Sequence, residues 1–248
     1  MEAYQNFAAV YDEFMEDVQY DRWYKFIVDV MAENNVTAEI VCDLGCGTGT
    51  MCEKFAADGV ETIGIDSSLE MLSVARESAE ELNILYLNQE MANFELYGTV
   101  NLIYSTCDSV NYVLEEDELL KVFRLVNNYL EPQGLFVFDI STKNKYKNLL
   151  ADKTFVNQVD GAAYIWENYY DEEEQVNEFA VTFFVEEDDG RYRKTEEWHY
   201  QRAYEVEQIQ AMLETAGLKV LGIFDDYTKE PYTDQTIRAT FVAQEIEK

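Results

Sequence analysis

The sequence predicts an α/β fold: a mostly parallel sheet flanked by helices, with a small antiparallel sheet inserted after its fifth strand. Three observations carry this. Short apolar runs alternate with helical patterns from residue 20 to residue 140. A glycine-rich turn, Gly45-Cys46-Gly47-Thr48-Gly49, joins the first run to a helix. Residues 153–205 then change to period-two alternation broken by charged turns.

Residues 3–16 and 20–34 carry apolar and aromatic positions three and four apart, which predicts two helices. Ile40–Leu44 fits a buried parallel strand, and residues 50–58 resume as helix. Val60–Ile65 is a second strand closed by Asp66, after which Ser67-Ser68 can cap a helix with Glu70 and Met71 in its first turn. Asn83–Leu87 and Val100–Ser105 are the third and fourth strands. The helix over 115–130 opens on Glu115, Glu116 and Asp117, as the helix dipole favours. Glu131-Pro132-Gln133-Gly134 breaks it before the fifth strand, Leu135–Ile140. The strand–helix alternation is thus expected five times over, with helices on both faces of the sheet. Asp188-Asp189-Gly190 between apolar alternations such as Val181–Val185 and Trp198-His199-Tyr200 predicts a hairpin. Residues 205–216 return to helix with Gly217 as C-cap, and Leu218–Phe224 and Ala239–Ala243 are the last strands. The expected division is one unit of 1–141 and 205–248, and an inserted antiparallel β-subdomain of 142–204.

Apolar residues make up 48% of the 248, so one sizeable core can form, and Pro132 and Pro231 are the only prolines. The formal net charge is −32. A chain this acidic repels polyanions, which disfavours nucleic acid and anionic membrane surfaces as partners. The plain reading of the charge is solubility; the functional one is attraction of a cationic or amine substrate. The N-terminus has no basic segment leading into an apolar run, and no window holds 18 apolar residues, so a cytoplasmic protein is expected. Cys42, Cys46, Cys52 and Cys107 fit no zinc or cluster spacing, so they are expected reduced and without metal.

The functional signal is the run from Val41 to Gly49. Glycines at alternate positions let the backbone turn sharply and approach a ligand at the carboxyl edge of the sheet. No Lys-Ser/Thr pair follows, so the turn is not a phosphate loop. A dinucleotide fingerprint wants a different glycine spacing, and Asp43, two residues before the first glycine, would repel a pyrophosphate. A carboxylate there suits a ligand bearing an ammonium group, and S-adenosylmethionine carries one and no phosphate. Asp66, about twenty residues on, can accept hydrogen bonds from both hydroxyls of a ribose.

With these motifs the chain resembles the seven-stranded S-adenosylmethionine-dependent methyltransferases, and among them the small bacterial cytosolic types related to sugar and glycine N-methyltransferases. The resemblance runs over nearly the whole chain, most sharply from 41 to 140. It implies a Rossmann-like, doubly wound seven-stranded sheet whose last strand is antiparallel. It implies that Asp43, Gly45, Cys46, Gly47 and Gly49 hold the amino-acid end of the cofactor, that Asp66 with Ser67 holds the ribose, and that Met71 packs on the adenine. Glu90 and Met91 stand at the family's adenine motif, where Glu90 replaces the usual Asp. The segment Cys107-Asp108-Ser109-Val110-Asn111-Tyr112 stands where the family meets both the methionine portion and the substrate. Tyr4 and Tyr11-Asp12 look like a lid over the cofactor.

Methyl transfer needs positioning more than acid–base help, so the catalytic residue stays open. The candidates are Tyr11 against the sulfonium, Asp108 and Asn111 on the substrate, and His199 as general base. Each has a plainer reading: helix face, loop caps and strand residue. Tyr200 and Arg202 share the strand face opposite His199. The expected activity is methyl transfer to a small-molecule acceptor, with an amine favoured by the acidity, in a monomer or homodimer. The rivals are an RNA or protein methyltransferase and a non-catalytic S-adenosylmethionine-binding protein.

Overall fold

The computed structural model describes residues 18–159, 161–187 and 189–246. Tyr4, Tyr11 and Asp12, the expected lid, and Asp188 of the expected hairpin lie outside them. A seven-stranded sheet runs in the order β10-β11-β5-β4-β1-β2-β3. Its strands are β1 (Ile40–Leu44), β2 (Glu61–Asp66), β3 (Ile84–Asn88), β4 (Val100–Ser105), β5 (Leu130–Ser141), β10 (Leu218–Asp225) and β11 (Arg238–Glu245). β11 lies antiparallel between β10 and β5, while β1 to β5 pair parallel. This is the doubly wound, Rossmann-like sheet expected from the sequence.

The chain winds outward from β1 to β3, then starts again at β4 on the other side of β1. The loops after β1 and β4 therefore diverge from adjacent strands and leave a crevice between them. Alternation along β1 divides the core: Val41 packs with α1 (Tyr20–Glu33) and α2 (Thr50–Ala57) on one face, Cys42 with α4 (Glu116–Tyr129) and α5 (Val206–Thr215) on the other. α1 forms because Trp23, Phe26, Ile27, Val30 and Met31 fall on one helical stripe, all buried. α3 (Leu69–Ser78) follows β2, with the Ser68 side chain accepting a hydrogen bond from the Met71 amide at 3.2 Å.

Two expectations change. No α-helix links β3 to β4; a single 3₁₀ turn, Met91–Asn93, stands there. The link is short, and its apolar residues Phe94 and Leu96 already fill the core beside α4, with Phe94 5.3 Å from Tyr129. β5 starts at Leu130, directly after α4, instead of beyond Pro132-Gln133-Gly134. The turn is an excursion within the strand, where pairing with β4 jumps from Val100↔Leu130 to Leu102↔Leu135.

After β5 the chain forms a second, four-stranded antiparallel sheet, β6 (Thr154–Val159), β7 (Ala162–Asp171), β8 (Val176–Glu186) and β9 (Tyr192–Arg202), before α5 returns it to the large sheet. Its two faces differ as period two requires. Phe179, Val181, Phe183, Glu197, His199 and Gln201 are buried on the inner face, whereas Trp198, Tyr200 and Tyr169 are exposed on the outer one. No described helix is long and apolar enough to cross a membrane.

Candidate active site

The crevice between the β1 and β4 loops is a cavity of about 510 Å³, within the range of small-molecule sites. Its floor is the glycine loop. Gly45, Gly47 and Gly49 have φ of 85°, 54° and 86°, the left-handed region that glycine enters freely. The amides of Gly45 and Cys46 donate to the Ile65 carbonyl at 2.8 and 2.9 Å, which locks the loop to the end of β2. Asp66 completes the shape: its Oδ2 accepts from the Gly47 amide and its Oδ1 from the Ser68 amide, both at 2.8 Å. A Cβ at Gly45 would lie 2.5 Å from the Met91 Cε, and one at Gly49 2.3 Å from the Tyr86 hydroxyl. Gly49→Ala is therefore expected to lower stability by about 1–3 kcal/mol, through both φ and overpacking. Gly47→Ala, whose Cβ meets nothing within 4 Å, should cost about 1 kcal/mol, the conformational part alone. Urea midpoints of the two variants check the difference.

Acidity dominates the electrostatics. Asp43 is 1% exposed. Burial pushes its carboxyl up to about 8 against a hydrogen bond from Cys52, and the neighbouring Asp66 adds to the rise. Its Oδ2 accepts from the Cys52 thiol at 3.5 Å, and its buried Oδ1 has no hydrogen-bond partner. Burial also raises Asp66, against the backbone amides of Ser68, Gly47 and Ser67. An orphaned buried carboxylate oxygen beside a second, half-buried acid calls for a cationic donor. The ammonium of S-adenosylmethionine fits it, and the open lone pairs of Asp66 suit a ribose.

The structure brings Asp43, Gly45, Cys46, Gly47, Asp66, Ser67, Met71, Glu90, Met91 and Cys107 together on the cavity wall. Gly49 and Asp108, also expected there, are set back from it. Asp108 turns away from the cavity. Its carboxylate accepts from Gln201 Nε2 and Arg238 Nη2, both at 2.9 Å, and Lys145 Nζ lies at 3.9 Å. Burial works against its charge, but Lys145 and Arg238 hold it below the usual carboxylate range. Its backbone and that of Cys107 are left-handed, φ 50° and 61°, and the Asp108 amide donates to Asp139 Oδ2 at 2.9 Å. Asn111 is buried and its amide is spent on backbone: it donates to the Ser141 carbonyl at 3.0 Å and the Arg202 carbonyl at 2.8 Å, and accepts from the Ser141 amide at 2.9 Å. His199 is 3% exposed and does not line the cavity. It stacks on Phe179 at 4.7 Å, and its Nδ1 lies 3.2 Å from the hydroxyl of Tyr112, a residue that does line the cavity. Tyr11 lies outside the described residues.

Several wall residues escape sequence reasoning. Tyr20 reaches the cavity from the start of α1, and Glu118 from the first turn of α4. Nothing marks either one: Glu118 sits in an acidic run whose other members look like ordinary dipole-compensating residues. Glu197, which stands behind the wall on His199, carries a readable signal, because period two puts it on the same strand face as His199. Among the described residues no group of three His, Cys, Asp or Glu is placed to hold a metal, and all four cysteines are free thiols.

Comparison with known proteins agrees with this geometry. Residues 41–134 match the methyltransferase domain family. The chain is 33% identical over 244 residues to a Geobacillus sp. (strain WCH70) protein described as a methyltransferase, covering 97% of this chain and 99% of that one. It superposes on the crystal structure of an S-adenosylmethionine-dependent methyltransferase from Clostridium acetobutylicum with a TM-score of 0.89 at 31% identity, covering 98% of this chain and 99% of that one. A Streptomyces venezuelae enzyme, dTDP-3-amino-3,4,6-trideoxy-alpha-D-glucopyranose N,N-dimethyltransferase, is 30% identical over 114 residues, 46% of this chain and 47% of that one.

Proposed function

This chain belongs to the S-adenosylmethionine-dependent methyltransferases, and on that footing we propose that its acceptor is the amine of a small molecule. The observation that carries this is the cavity wall. Four carboxylates line it, Asp43, Asp66, Glu90 and Glu118, and no Lys or Arg is among the lining residues. With Asp43, Asp66 and Glu90 given to the cofactor, Glu118 is the carboxylate left to draw a cationic or amine-bearing acceptor, and no lining cation would hold a phosphate near the reacting end. The amino-sugar substrate named for the Streptomyces venezuelae relative supports the amine class.

In this reading Asp43 and the Gly45–Gly49 loop hold the amino-acid end of the cofactor, Asp66 the ribose, and Met71, Glu90 and Met91 the adenine. When bound, S-adenosylmethionine supplies an electrophilic methyl group on a sulfonium, with a neutral thioether as leaving group. The protein's part is to align the acceptor and keep water out. Residues 1–141 and 205–248 form the cofactor-binding unit, and 142–204 cover the acceptor.

The test has two stages. Calorimetric titration should give one S-adenosylmethionine site per chain and no NAD binding. Radiolabelled methyl transfer to a panel of free amino sugars, polyamines and amino acids, with a dTDP-linked amino sugar as a separate arm, should then give an N-methylated product. Methylation of RNA or protein alone would overturn the acceptor class. Binding without transfer to any class would make the chain a cofactor-binding protein.

A further inference from the structure

Beyond the glycine loop the cavity wall ends on Tyr112, in the short 3₁₀ turn Ser109–Tyr112 after β4. Behind its phenol stand two buried titratable groups from β9. His199 Nδ1 is 3.2 Å from the Tyr112 oxygen, and His199 Nε2 is 3.5 Å from Glu197 Oε2. Both side chains are almost wholly buried, 2% and 3% exposed. The order outward from the cavity is phenol, imidazole, carboxylate. We propose that Tyr112, His199 and Glu197 form a proton relay that takes the acceptor's proton out of the cavity. Tyr112 is the group that touches the acceptor; His199 and Glu197 act through it as positioning residues. This rests on the reading that the acceptor amine lies beside Tyr112.

The physical case is one of cost and direction. On this sheet face Phe179 stands across from His199 and Val181 across from Glu197, with Phe183 beyond them. Placing an imidazole and a carboxylate among them incurs a desolvation cost that another apolar pair would avoid. The groups facing the imidazole are Tyr112 from the 3₁₀ turn, Glu197 and Gln201 on its own strand, and Phe179 and Asn168 in register on β8 and β7. Of these, Tyr112 and Glu197 titrate, and Gln201 leads on to Asp108. A carboxylate at Nε2 favours the tautomer with the proton there, which leaves Nδ1 bare to accept from Tyr112. The proton step balances. One acceptor N–H bond breaks as the Tyr112 oxygen gains that proton, and the phenol's own proton passes to His199 Nδ1. One positive charge moves from the amine to the imidazole, beside Glu197.

His199 is the only histidine in the chain, so histidine labelled with ¹⁵N gives a single imidazole spectrum. At neutral pH with S-adenosylhomocysteine added, Nδ1 should report an unprotonated nitrogen and Nε2 a protonated one. Glu197→Gln should weaken that preference. The opposite tautomer would have His199 donating to Tyr112, which closes the path and overturns the relay. With whichever amine of the panel accepts methyl, Tyr112→Phe should lower kcat by about 10²–10³-fold with KM little changed. His199→Asn should move the acid limb of the kcat–pH profile, and Glu118→Gln, the rival base on the wall, should not. A wild-type profile in His199→Asn, or a limb that moves in Glu118→Gln instead, also overturns the relay. If no amine accepts methyl, the acceptor class fails, while the tautomer still decides the relay.

Discussion

Asp66→Ala is expected to weaken S-adenosylmethionine binding by about 10²–10⁴-fold, from the loss of two charge-assisted hydrogen bonds at roughly 1.5–3 kcal/mol each. Asp66 has two tasks. It lines the cavity, where we propose that it meets the ribose, and it fixes the glycine loop through the amides of Gly47 and Ser68. Calorimetry measures the affinity, and a urea titration of the same variant separates lost contacts from a collapsed loop. A variant that binds as tightly as the parent would remove Asp66 from the cofactor site. The same calorimetry tests Asp43. With its carboxyl raised to about 8, Asp43 is mostly protonated at pH 7. A cationic ligand favours the ionised form, so binding must expel a proton. Affinity should therefore rise with pH up to about 8. Binding heats at pH 7 should vary with the ionisation enthalpy of the buffer, in the direction of proton release. Heats independent of the buffer would mean that Asp43 does not meet the ligand's charge.

Arg238→Met should cost about 3–5 kcal/mol of stability, because it leaves buried charge uncompensated. Arg238 pairs with Asp139, donates to Asp108 at 2.9 Å and covers the Trp23 ring at 5.1 Å. Asp139 in turn accepts from the Tyr227 hydroxyl at 2.6 Å and from the Asp108 amide at 2.9 Å. Burial already raises Asp139 even with the guanidinium in place; without it the shift grows. A carboxyl raised in the folded state gives full stability below its unfolded pKa and loses it as pH rises through the folded one. The deficit should therefore be largest at pH 7.5 and shrink toward pH 5. Asp108 in the parent behaves oppositely, since its lowered carboxyl contributes stability above the unfolded pKa that is lost in acid. Asp139→Asn added to Arg238→Met should recover part of the loss. Urea unfolding at the two pH values checks both sign and size.

Much of the fold was legible because it is local. β1 and β4 fall where alternating apolar runs place them, and Asp43, the three glycines and Asp66 are read from one stretch of chain. The cluster around Arg238 was not legible. It joins β4, β5 and β11 with the turn before β11, and a lone arginine opening a late strand carries no spacing signal. Asp108 and Asn111 were read as substrate contacts because their loop follows β4 at the carboxyl edge. Their side chains instead point to partners far along the chain, Arg238, Gln201, Ser141 and Arg202, and only the folded backbone brings these near. His199 is the middle case. Its strand and face follow from period two, but its place behind Tyr112 depends on how the second sheet docks on the 3₁₀ turn.

The bonds of Asn111 have a consequence for variation among related chains. One amide joins Ser141, where the chain leaves the large sheet, to Arg202, where it returns. The whole antiparallel sheet thus hangs from two points that one side chain spans. Once those points are fixed, the length of chain between them barely affects the rest, since each doubling of a loop adds only about 0.6 kcal/mol of closure cost. The large sheet with Asn111 is therefore a socket, and the second sheet a replaceable cassette. Its strands can be lengthened, shortened or exchanged while the glycine loop stays as it is.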